Sequence, residues 1–193
     1  MIISIEGNIG SGKSTQLDYL KNKYIVKHEN IETWKAEGWL KVYYENPKYH
    51  AFSFQMRVMH DHMDRKFLEN KTTIVERSPY SCNYIFGDLL YEDKLLTKRE
   101  YELMNKYYES FSWKPDICIY VRTSPQVCFE RIKLRNRKSE DLIPLDYLQK
   151  LHMKHEQYLN PENINTPVYI IDGDVENDNV KEQINKILLT LKC

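Results

Sequence analysis

The stretch Gly7-Asn8-Ile9-Gly10-Ser11-Gly12-Lys13-Ser14 constrains this chain more than any other. It fits G-x-x-x-x-G-K-[ST], in which a loop of small residues turns its backbone N–H groups toward negatively charged phosphates. A strand must precede such a loop and a helix must follow it, because the helix adds the positive end of its dipole. Both flanks are present. Met1-Ile2-Ile3-Ser4-Ile5 reads as a buried strand, and Thr15-Gln16-Leu17-Asp18-Tyr19-Leu20 reads as a helix. In this pattern Lys13 reaches the outer phosphates of a nucleotide, and the Ser14 hydroxyl helps to hold Mg²⁺.

Beyond the loop helix, Tyr24 to Glu29 reads as a second strand ending in an acidic residue. A turn at 30–34 leads into helix at about 40–45. A longer helical pattern runs from His50 to Asn70, with Phe52, Met56, Met59, Met63 and Phe67 on one apolar face and Gln55, Val58 and His62 at its edge. Thr72 to Glu76 is short, β-branched and bounded by charge, which predicts a third, buried strand. Pro79 suits the first turn of the next helix. Thr97 and Glu100 form a capping box at the head of a helix reaching Phe111. Strands at 116–121 and 168–172 alternate with helices starting at Ser124-Pro125, Pro144 and Glu176. Strict alternation predicts an α/β fold: a five-stranded parallel sheet with helices on both faces. With 193 residues and no repeat or linker, one domain spanning 1–193 is expected.

Composition narrows the partners. Lys plus Arg and Asp plus Glu each number 28, so the formal net charge is zero, which gives no global electrostatic pull toward nucleic acid or a membrane. No apolar run approaches membrane-spanning length. Four cysteines without C-x-x-C spacing suit reduced thiols, and the six histidines form no H-x-x-x-H pattern. With the first strand beginning at residue 2, there is no room for a leader in the chain as given. A cytoplasmic protein is expected.

In parallel sheets of this kind ligands sit at the carboxyl ends of the strands. Those ends carry the phosphate loop, Glu29, and Glu76-Arg77. Two carboxylates and an arginine would meet near the γ-phosphate, where one acid helps to hold a metal and another orients or deprotonates the acceptor. Position alone leaves open which does which. Arg131, Arg135 and Arg137 form a second group with Lys133 and Lys138. Two arginines four apart share a helical face and repel unless an anion lies between them. A third group is aromatic: Trp34, Tyr44, Phe54 and Phe86, with Gln55 beside them. An amide at the edge of an apolar face needs a partner, and the edge of a nucleobase would supply one. Asp172-Gly173-Asp174 reads as a turn after a strand.

Together these residues resemble the deoxynucleoside kinase family, from Ile2 to about Leu159. The strongest pieces are Glu6 to Ser14, Glu76-Arg77-Ser78, Arg131-Ile132-Lys133-Leu134-Arg135-Asn136-Arg137, and the run Ile143 to His152. The resemblance implies a P-loop kinase fold, ATP as phosphate donor, Mg²⁺, a deoxynucleoside acceptor and a homodimer. Glu29 matches the carboxylate that activates the sugar 5′-hydroxyl, with Arg77 beside it. Ser14 and Glu76 match the Mg²⁺ positions, and Gly7, Asn8, Ile9, Gly10, Ser11, Gly12, Lys13, Ser14 and Thr15 the donor-phosphate site. Arg131, Arg135 and Arg137 match the arginines of a lid at about 131–143, which places them with Glu29, Arg77 and Lys13 in the catalytic set. Tyr44 and Glu140 match the pair that holds the 3′-hydroxyl. Gln55 matches the base-reading amide, Phe86 the stacking aromatic, and Trp34, Leu40, Phe54 and Val58 the pocket wall.

Deoxycytidine and deoxyguanosine kinases carry an arginine and an aspartate deep in the base pocket. Here His62 and Cys82 line up with those positions, and without the charged pair the pocket more closely resembles the thymidine-accepting branch, where these positions are uncharged. That favours a pyrimidine, thymidine first and deoxycytidine second, with His62 still able to donate to a purine. Two alternatives stand beside this reading. One is a thymidylate-type monophosphate kinase, which commonly has Asp-Arg-aromatic where this chain has Glu76-Arg77-Ser78. The other is a non-catalytic subunit of the same fold.

Overall fold

The structure is a computed structural model, and it describes residues 1–135 and 143–191. Five strands form one sheet, β1 (Ile2–Glu6), β2 (Ile25–Lys27), β3 (Thr73–Glu76), β4 (Ile117–Arg122) and β5 (Val168–Asp172), in the order β2-β3-β1-β4-β5. Every pairing is parallel, so each connection must cross the sheet as a helix, as the alternation predicts. After β1 the chain passes over to β2 at one edge, returns to β3 beside β1, then crosses to β4. The direction of travel reverses between β1 and β3, and a crevice opens at their carboxyl ends.

Side-chain alternation along β1 assigns the two faces. Ile3 and Ile5 point to one side, where α1 (Lys13–Leu20) and α9 (Asn177–Thr190) bury Leu17, Leu20, Val180, Ile184 and Leu188 against them. On the other side Tyr120 of β4 meets Leu151 and Leu159 from around α8 (Leu145–Tyr158), with Ile85 and Leu89. That face also carries Glu6, whose fully buried carboxylate accepts from the Ser78 backbone N–H at 3.0 Å and from the Ser81 hydroxyl.

The remaining helices are α2 (Ile31–Ala36), α3 (Trp39–Glu45), α4 (Pro47–Met63), α5 (Asp88–Glu92), α6 (Lys98–Phe111) and α7 (Pro125–Arg135). The capping box expected at Thr97 and Glu100 heads α6. Among the described residues no helix is long and apolar enough to cross a membrane.

Two local expectations differ from the structure. The helix expected to run from His50 to Asn70 is α4, and it stops at Met63. Beyond it the Arg65 guanidinium donates to the backbone carbonyls of Arg77 (2.6 Å) and His28 (3.4 Å), and Phe67 leaves the helical face to pack edge-on against Trp113. Contacts distant in sequence override a helical periodicity that would have continued. The helix expected after Pro79 is a π-helical segment over Ser81–Gly87 before α5 begins. Gly87 lies against the Met104 side chain, where a Cβ would come within 2.4 Å of its terminal carbon.

Candidate active site

The phosphate loop is a backbone device. Gly7 (φ 147°) and Gly10 (φ 82°) adopt conformations that favour glycine, and a Cβ on Gly10 would lie 2.5 Å from the Cys128 carbonyl oxygen. Asn8 braces the turn, its side-chain amide donating to the Leu148 carbonyl (2.8 Å) and its side-chain oxygen accepting from the Ile9 N–H (2.9 Å). Lys13 opens α1 and is buried, with Nζ donating to the Asn8 carbonyl at 2.7 Å. Burial and then the Arg77 charge lower its pKa to about 8. The Ser14 hydroxyl donates to Glu76 Oε1 at 2.8 Å.

Across the crevice, Glu29 lies two residues beyond β2 and Arg77 directly after β3. Arg77 has φ 54°, a left-handed backbone rare for a side chain of its size. The conformation is held by its own N–H on the Ile5 carbonyl (3.1 Å), by Arg65 on its carbonyl, and by Glu6 on the next N–H. It turns the guanidinium back over the sheet, where Nη1 pairs with Glu29 Oε2, Nη2 donates to the Gly7 carbonyl (3.2 Å), and Cζ lies 4.8 Å above the Phe86 ring. Burial opposes ionisation of Glu29, yet the Arg77 charge and then His62 hold its carboxyl well below the usual carboxylate range. Glu76 is likewise kept ionised: burial is the strongest influence and opposes it, but the hydrogen bond from His28 and the charges of Lys13 and Arg77 together outweigh burial.

These groups face a cavity of about 420 Å³, which extends from the loop to an aromatic chamber. Of the residues singled out from the sequence, Ile9, Gly10, Gly12, Lys13, Ser14, Thr15, Glu29, Glu76, Arg77 and Arg135 line it on the phosphate side. Trp34, Leu40, Tyr44, Phe54, Gln55, Val58, Cys82 and Phe86 line the chamber. Trp34 packs edge-on against Phe54 and anchors its indole N–H on Asp61. The Gln55 amide N donates to the Cys82 carbonyl at 2.6 Å, so the π-helical segment fixes where this amide stands. Burial pushes the Cys82 thiol far up, so it remains neutral.

Gly7, Asn8 and Ser11 brace the loop from behind without lining the cavity, and two further expected residues lie elsewhere. Arg131 donates to the Gly173 (2.9 Å) and Val175 (3.5 Å) carbonyls on the loop after β5. His62 turns its ring toward Glu29, with Nε2 3.3 Å from Oε1, and lines a second cavity rather than the chamber. Arg137 and Glu140 lie outside the described residues. The sequence reading also left out wall residues. Tyr43, Asp93, Tyr147 and Lys150 line the chamber, with Lys150 Nζ 2.6 Å from Asp93. For Tyr147 and Lys150 the signal was the Ile143–His152 run, noted as a motif without roles for its members.

The family pattern described as Deoxynucleoside kinase matches residues 3–192. The chain belongs to the deoxynucleoside kinase family. It is 35% identical over 184 residues to a probable deoxycytidine kinase of Fowlpox virus (strain NVSL), covering 89% of this chain and 78% of the relative. It is 30% identical over 190 residues to the mitochondrial thymidine kinase 2 of Homo sapiens (90% and 71% covered). It is 30% identical over 237 residues to the deoxycytidine kinase of Mus musculus (98% and 91% covered). The kinase is therefore a phosphotransferase of the P-loop fold that takes its phosphoryl group from ATP and phosphorylates a nucleoside.

Proposed function

We propose that this kinase transfers the γ-phosphoryl group of ATP to the 5′-hydroxyl of a pyrimidine deoxynucleoside, thymidine first and deoxycytidine second. One observation carries the reading: Glu29 and Arg77 share a single cavity between the phosphate loop and an aromatic chamber. Glu29 is the base. It stays ionised at neutral pH and accepts the 5′-hydroxyl proton as the new O–P bond forms and the bond to the departing ADP breaks. Arg77 orients that carboxylate and offers positive charge beside the attacking oxygen. Lys13 and the loop N–H groups stabilise the charge spreading over the transferred group.

Gln55 hydrogen-bonds the base and Phe86 stacks on it, with Trp34, Leu40, Phe54 and Val58 as walls. A neutral Cys82 leaves room near the pyrimidine C5 position and places no charge there. Tyr44, with Glu140, holds the 3′-hydroxyl. Arg131, Arg135 and Arg137 belong to a lid at about 131–143, of which Arg135 reaches the cavity wall. Ser14 and Glu76 offer the hard oxygen donors that Mg²⁺ prefers, and the pair already meets at 2.8 Å. Bound there, the ion would neutralise charge on the phosphates. The kinase works as a single domain, as a homodimer and in the cytoplasm, where its buried thiols Cys82, Cys118 and Cys128 stay reduced.

Thymidine and thymidylate, each offered with ATP and Mg²⁺, test the acceptor. ADP release should follow thymidine and stop on chelation of the metal. Release with thymidylate and none with thymidine would overturn the reading in favour of a monophosphate kinase.

A further inference from the structure

His62 sits on the last turn of α4 with its side chain 1% exposed. Neither ring nitrogen has a hydrogen-bond partner among the described residues, an unfavourable state for a buried imidazole. The charged group nearest to hand is Glu29, whose Oε1 lies 3.3 Å from Nε2 but off the line a hydrogen bond needs. The other carboxylate oxygen, Oε2, is taken by Arg77. Burial, and next the charge of Arg65, lower the His62 pKa to about 4, which leaves a neutral ring with one N–H to give.

His62 lines a second, solvent-open cavity together with Lys27, His28, Asp61 and Arg65, and Glu29 borders both this cavity and the aromatic chamber. His62 therefore stands behind the carboxylate. From this place it can reach the oxygen that Arg77 leaves free.

We propose that His62 is a positioning residue for Glu29: its neutral Nε2–H closes onto Oε1 and holds the carboxylate while Arg77 shares its guanidinium with the 5′-oxygen. Two donors on two oxygens fix the carboxylate plane, leaving a lone pair toward the incoming hydroxyl. The proton of that hydroxyl ends on Glu29, and His62 neither gives nor takes one. This inference rests on Glu29 being the base in the proposed reaction.

The test compares His62→Gln, whose amide nitrogen can stand near Nε2, with His62→Asn, whose amide nitrogen stands near Nδ1. For each, kcat, the nucleoside KM, the thymidine-to-deoxycytidine preference and the thermal midpoint are measured at saturating ATP and Mg²⁺. Wild-type enzyme must first show nucleoside-dependent ADP release; its absence would sink the proposed reaction itself, and this inference with it. With that activity in hand, His62→Asn should lower kcat on the order of 10- to 100-fold, as displaced catalytic groups do. KM and base preference should stay nearly unchanged, and His62→Gln should recover most of the rate. In a Glu29→Gln background, His62→Asn should cost no further rate, because the group it positions is gone. The inference is overturned by unchanged kcat in His62→Asn, by equal losses in both variants, or by a shift in base preference. Losses that multiply with Glu29→Gln would overturn it equally.

Discussion

The two sides of the active cavity are built in different ways. The donor side is a contiguous loop, Gly7 to Ser14, whose binding groups are backbone N–H donors set by positive-φ glycines and the start of α1. The acceptor side draws side chains from Trp34 in α2 to Lys150 in α8. At its junction with the donor side, the buried charges of Arg77 and Glu29 hold one another, and the Ser14 hydroxyl and the partly exposed His28 ring meet the buried Glu76 carboxylate. A backbone cradle recognises any polyphosphate and persists through most side-chain changes. A side-chain constellation selects its ligand, and one lost partner leaves a charge stranded in a dry place.

If this division is right, single substitutions should damage one side and spare the other. Glu29→Gln should have the largest effect, lowering kcat roughly 10²–10⁴-fold while binding of a non-hydrolysable ATP analogue stays intact; full turnover would break the acceptor side of the comparison. Lys13→Met should follow, costing roughly 10²–10³-fold in rate, with thymidine affinity by calorimetry held within a few-fold. Gly10→Ala tests the backbone cradle itself. A Cβ facing the Cys128 carbonyl at positive φ should destabilise the fold by about 1–3 kcal/mol, read as a lower thermal midpoint, and weaken ATP more than thymidine.

The smallest effect is the response to pH. Lys13 loses its proton at about 8 when folded, against 10.5 when unfolded, because burial disfavours its charge. Between those values the unfolded chain binds more protons, so this group alone makes stability rise with pH. Over the same range kcat/KM for ATP should fall, because the phosphates lose their cation. Opposite slopes in a melting series and a rate profile, both absent in Lys13→Met, would sharpen the assignment.

What could be read from the sequence follows the same division. The phosphate loop is local, so eight adjacent residues carry it, and the strands β1 and β3 are short apolar runs with unmistakable ends. Glu29 and Arg77 were legible because a parallel sheet brings strand ends together whatever lies between them. The end of α4 was not, because the apolar spacing continues to Phe67 and only the reach of Arg65 to the Arg77 and His28 carbonyls turns the chain aside. The place of His62 along α4 can be counted from the sequence, but the direction of its ring, toward Glu29, depends on another element. Arg131 likewise shares a helix with Arg135, yet its guanidinium is satisfied by the loop after β5. Tyr147 and the Asp93–Lys150 pair required the packing of α8 beside the chamber.

The most direct measurement is kcat/KM for each of the four natural deoxynucleosides with ATP and Mg²⁺. The neutral Cys82 on the chamber wall predicts thymidine first, deoxycytidine second and both purines well behind. Purines preferred over both pyrimidines, or no ADP release with any of the four, would contradict it.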